Sequence, residues 1–83
     1  MSTDSSITYE PSNPSDLEAF LIANKEKYHE IWIILAKKKY ANLQPVSFNE
    51  AVNLAIKNGL VDSRTKTLNE KKYCIRFTKR KVK

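Results

Sequence analysis

The chain has 83 residues, 41% of them hydrophobic, and a formal net charge of +6. That length supports one domain with one modest core and excludes a second, and a lone cysteine, Cys74, excludes an internal disulfide and makes the cytoplasm the default expectation. The longest apolar run, Ile31 to Ala36, is far shorter than the roughly 20 residues a membrane helix needs, and the first residues carry an acid and no apolar stretch, so neither a membrane span nor an export signal is expected.

Residues 1–6 are small and polar and read as a flexible lead-in to a single domain over residues 7–78. Ile7-Thr8-Tyr9 is β-branched and aromatic, which fits a short edge strand stopped by Pro11 and Pro14; such an edge could pair with its copy, and the oligomeric state stays open. Asn13-Pro14-Ser15-Asp16-Leu17-Glu18 is a helix start in which Ser15 and Glu18 have capping-box spacing and the acids suit the positive end of the helix dipole. The helix is predicted to run to Lys27, with Leu17, Phe20, Leu21 and Asn24 at helical period and Ala19, Ile22 and Ala23 broadening the buried stripe.

His29 is a polar residue at the start of Glu30-Ile31-Trp32-Ile33-Ile34-Leu35-Ala36, a continuous apolar run that predicts a central strand covered on both faces, with Trp32 as a core anchor. Lys37, Lys38, Lys39 and Tyr40 lead out of the core into a connection. Ser47 and Glu50 repeat the capping-box spacing ahead of a stripe of Phe48, Ala51, Val52, Ala55 and Ile56, and Gly59 stands where a left-handed cap would end that helix. Leu60-Val61-Asp62 then predicts a short strand, and Ser63 to Glu70 a polar connection.

In the last predicted strand Tyr73, Ile75 and Phe77 alternate with Lys72, Cys74, Arg76 and Thr78, so aromatic and aliphatic groups point inward and cations outward. Residues 79–83 continue the charge as a basic tail. The order β-α-β-α-β-β predicts an α+β fold, a small mixed sheet of three or four strands with two helices packed on one face.

From Trp32 onward the sequence resembles the YdeI/OmpD-associated family, whose members carry a tryptophan-led strand, a Lys-Lys turn, a Glu-Ala-Val helix, a Gly-Trp-Ile-Asp segment and a Phe-Thr-Pro-Arg-Lys segment. The counterparts here are Trp32, Lys38-Lys39, Glu50-Ala51-Val52 with Ala55, Gly59-Leu60-Val61-Asp62 and Phe77-Thr78-Lys79-Arg80-Lys81. Leu60 replaces the family's tryptophan and Lys79 its proline. The family continues beyond the basic segment, so the resemblance covers its N-terminal part, and the chain reads as a minimal member or a fragment. The resemblance implies a role in bacterial stress or protection against bacteriocins or cationic peptides, and it transfers no catalytic residue.

One histidine and one cysteine make a metal site improbable, one glycine is too few for a phosphate-cradling loop, and no serine sits in a nucleophile elbow. No catalytic residue, metal or cofactor is therefore expected, and the chain is read as a non-enzyme. Cys74 lies between Lys72 and Arg76, where an exposed thiol would be acidified. Asp62 could ion-pair with Arg64, Arg76 or Arg80, or with Arg80 form a small-molecule site.

The charge is the stronger signal. Residues 64–83 hold nine Lys or Arg and one acid, +8, which leaves −2 for the rest of the chain. The candidate binding surface comprises Lys37, Lys38, Lys39, Asp62, Arg64, Lys72, Arg76 and Arg80. Its expected occupant is an acidic protein or, because Tyr40 and Tyr73 are interleaved with lysines, a nucleic acid.

Overall fold

Six elements run through residues 6–37 and 46–79, which the computed structural model describes: β1 (Ser6–Tyr9), α1 (Pro14–Asn24), β2 (Glu30–Ala36), α2 (Phe48–Lys57), β3 (Leu60–Thr67) and β4 (Lys72–Lys79). This is the predicted α+β order.

Helix α1 is capped by Asn13, not by Ser15. Asn13 is extended and its side-chain oxygen accepts from the Asp16 amide at 2.7 Å, while Pro14 fills the first turn, where no amide proton is needed. The helix ends at Asn24, short of Lys27, and the Asn24 side-chain amide donates to the Phe20 carbonyl at 2.9 Å. Only Leu17 and Leu21 are fully buried; Phe20 is half-buried, and Ala19, Ile22 and Ala23 face solvent, so the buried stripe is narrower than the run of apolar residues suggests. Phe20 stacks on Tyr9 at 4.0 Å, which seats α1 over the β1 edge of the sheet.

Helix α2 begins with the full reciprocal box: Ser47 Oγ accepts from the Glu50 amide at 3.1 Å and Glu50 Oε1 accepts from the Ser47 amide at 3.0 Å. Its contact face is Ala51 and Ala55, whose small side chains let the helix lie close against its neighbours, while Phe48 and Ile56 are exposed. Gly59 takes φ +79°, and the chain passes straight into β3.

The sheet order is β1-β2-β4-β3. β1 and β2 are parallel, and β4 is antiparallel to both β2 and β3, so the connection through α2 carries the chain from β2 across β4 to the far edge. Both helices cover one face, where Leu17, Leu21, Ile31, Ile33, Leu35, Val46, Ala51, Ala55, Leu60, Ile75 and Phe77 form the core.

Two findings correct the sequence reading. β2 is not covered on both faces: burial alternates along it, Ile31, Ile33 and Leu35 inside, Trp32 and Ile34 only half-buried on the opposite side. β3 does not stop at Asp62. It continues to Thr67 along β4 after a bulge at residues 62–64, and turns into β4 through Asn69, whose side-chain oxygen accepts from the Lys71 and Lys72 amides at 2.8 and 2.9 Å.

Candidate anion-binding face of the sheet

The second face of the sheet carries no packed element among the described residues. Register places its side chains in rows: Glu30 beside Thr78, Trp32 beside Arg76, Ile34 beside Cys74 and Ala36 beside Lys72, with Arg64 next to Arg76 and Lys66 next to Cys74 on the outer strand. The extra length of β3 creates the site, because without it Arg64 and Lys66 would belong to a loop.

Glu30, Trp32, Arg64, Thr65, Lys66 and Arg76 line an open depression of about 560 Å³. Trp32 is the aromatic residue of this lining. The indole Nε1 donates to Glu30 Oε1 at 3.2 Å, which fixes the tilt of the ring, and Lys66 Nζ lies over the ring 5.5 Å from its centroid. A solvent-exposed cation on a ring contributes about 0.5–1 kcal/mol, and Lys66 is a weak lid on a flexible stem.

Two partners hold the Arg76 guanidinium. Its Nη2 donates to Glu30 Oε2 at 2.8 Å, its Nη1 meets Ser63 Oγ at 3.4 Å, and its Nε is buried with no partner. Ser63 Oγ donates in turn to the Arg76 carbonyl at 3.3 Å, so the bulge residue fastens the two strands beside the guanidinium.

The predicted site residues separate. Arg64 and Arg76 come together in the depression, and Lys66, Trp32 and Glu30 join them although the sequence reading did not place them there. Lys72 shares the face but pairs with Glu10. Lys37 follows β2; its amide donates to the Lys71 carbonyl at 2.7 Å, and it does not line the depression. Asp62 is exposed, sits opposite core residue Phe77 in the register, and forms no ion pair with Arg64 or Arg76. Lys38, Lys39, Tyr40 and Arg80 lie outside the described residues.

Tyr73 packs on the core side, where burial raises its phenol, so it offers no ring to the open face. Cys74 belongs to the open-face row but is 3% exposed; burial pushes its thiol up against the smaller opposite pull of Lys66, so the acidification expected of an exposed thiol does not arise. The signal for the missing residues is present in Arg64-Thr65-Lys66-Thr67, where charge alternates with β-branched threonine at period two.

Fold and face together define a small α+β domain with helices on one side of its sheet and an aromatic and cationic depression on the other. The chain belongs to the family described as a domain of unknown function, DUF8412, whose sequence model matches residues 9–83. No curated protein matches the chain. No helix among the described residues is long and apolar enough to cross a membrane.

Proposed function

We propose that this domain is a non-enzymatic cytoplasmic binding module that receives an acidic partner on the open face of its sheet. The observation that carries the reading is the pattern of charge pairing there. Lys72 and Arg76 have carboxylates against them, whereas Arg64 and Lys66 have no acidic partner among the described residues and stand at the depression around Trp32. Cations without a carboxylate beside a half-buried aromatic ring attract a ligand that supplies negative charge.

The YdeI/OmpD-associated resemblance supports an interaction role of the stress or bacteriocin-protection type. Its two departures leave the face intact: Leu60 is a core residue, 2% exposed, and Lys79 is tied to Glu26 at 2.6 Å.

The test uses inorganic polyphosphate as a generic polyanion, titrated into isotope-labelled protein and followed by NMR. The expected shifts fall on the Trp32 indole and on Arg64, Lys66 and Arg76, and are abolished when Arg64 and Lys66 are both replaced by glutamate. Shifts confined to α1 and α2, or an unchanged titration of the double variant, reject the reading.

A further inference from the structure

Resting on the anion-binding reading, we propose that the acidic partner is a single-stranded nucleic acid, with one base stacked on Trp32 after Lys66 swings off the ring to meet a phosphate. An acidic protein supplies carboxylates and would have to place a separate side chain on the half-buried indole. A nucleotide supplies a flat ring and a charge together, and the depression is lined by both complements: Trp32 on β2, Arg64 and Lys66 on β3.

The displacement runs in favour of the base. A cation over an exposed ring is worth about two- to fivefold in affinity, and a stacked base about five- to 150-fold. The lysine is not lost in the exchange, because its ammonium moves from a ring to a phosphate oxygen. Glu30 keeps the indole in its tilt through Nε1 while the ring's outer face is free to change partners. Stacking and phosphate contacts do not read the sugar, so RNA and DNA strands are bound alike. A duplex hides its base faces and is bound less well.

Trp32 is the only tryptophan in the chain, so its fluorescence reports this contact alone. The full chain is titrated with a uridine oligonucleotide, with a duplex of equal length and with polyphosphate of matched charge, and affinity is read from anisotropy of a labelled strand. The single strand is expected to quench Trp32 and to bind more tightly than the other two. Trp32→Ala weakens it by about five- to 150-fold and Trp32→Tyr retains most of the affinity. Replacing Arg64 and Lys66 together by glutamine reduces the slope of log affinity against log salt by about 1.4, two phosphate contacts for a single strand.

If the single strand fails to quench Trp32, or if polyphosphate or duplex binds as tightly, the nucleic-acid proposal is overturned while the anion-binding reading stands. If none of the three binds, both fall. The wild-type quench and the three-ligand comparison need no variant, so a poorly folded Trp32→Ala leaves the test decisive.

Discussion

Gly59 and Cys74 show how single positions constrain this domain. Gly59 holds φ +79°, and a Cβ built there meets nothing within 4 Å, so the cost of replacing it is conformational and not steric. A left-handed backbone costs an ordinary residue about 1–2 kcal/mol, which predicts a loss near 1 kcal/mol for Gly59→Ala, near 2 for the β-branched Gly59→Val, and less for Gly59→Asn. Urea denaturation measures these differences; equal stability of the valine variant would show that the turn relaxes to another conformation. Cys74 poses the opposite case, a side chain flanked by cations in sequence yet inert in the fold. Its thiol is 3% exposed and burial holds it in the protonated form. Native protein at neutral pH is therefore expected to resist an aromatic disulfide reagent, with labelling appearing only as denaturant unfolds the chain. Fast labelling without denaturant would mean that β4 opens locally.

At the scale of elements, the segment before α1 is organised by one carboxylate. Asp16 Oδ2 accepts from the Tyr9 hydroxyl at 2.7 Å and the Ser12 amide at 2.8 Å, joining the end of β1 to the start of the helix. These bonds, the tyrosine's first, hold the Asp16 carboxyl below its ordinary 3.8. A depressed carboxylate adds stability that is present above the unfolded value and is lost as pH falls through the folded one. Asp16→Asn is thus expected to melt below the wild type at neutral pH, with the gap closing as pH drops below about 4; a gap independent of pH would contradict the ionic part of the account. Elsewhere the elements differ in how far the sequence discloses them. α2 is legible because its cap, alanine face and glycine stop agree, and β4 because its apolar and cationic residues alternate. β3 beyond Asp62 is not, since serine, threonine and lysine occur equally in loops, and only pairing with β4 makes a strand of them. Trp32 is misread for a related reason: an apolar run does not reveal whether one face or two will be covered, and here the helices cover only one.

Across the whole molecule, folding brings the two charge blocks of the chain together. Lys72, Arg76 and Lys79 of β4 meet Glu10, Glu30 and Glu26, partners 62, 46 and 53 residues away in sequence, so most of the described charge of the last strand is answered from the N-terminal half. Among the described residues Arg64 and Lys66 on the outer strand have no such carboxylate, so the proposed binding face is smaller and more sharply placed than the +8 of residues 64–83 implies. Glu30 is the control point, because it restrains Arg76 and positions Trp32 at once. Glu30→Gln keeps an oxygen for the indole and removes the charge that occupies the guanidinium. The pair is about two-thirds covered, with side-chain exposures of 27% and 32%, and exchanging it for a neutral isostere should cost no more than about 1 kcal/mol. Arg76 is then free to take a phosphate. The variant is expected to bind a uridine oligonucleotide severalfold more tightly at low salt, with a salt slope steeper by about 0.7, one additional single-strand contact. An unchanged slope would show that the Arg76 guanidinium stays on Ser63 Oγ, and that only Arg64 and Lys66 face the ligand.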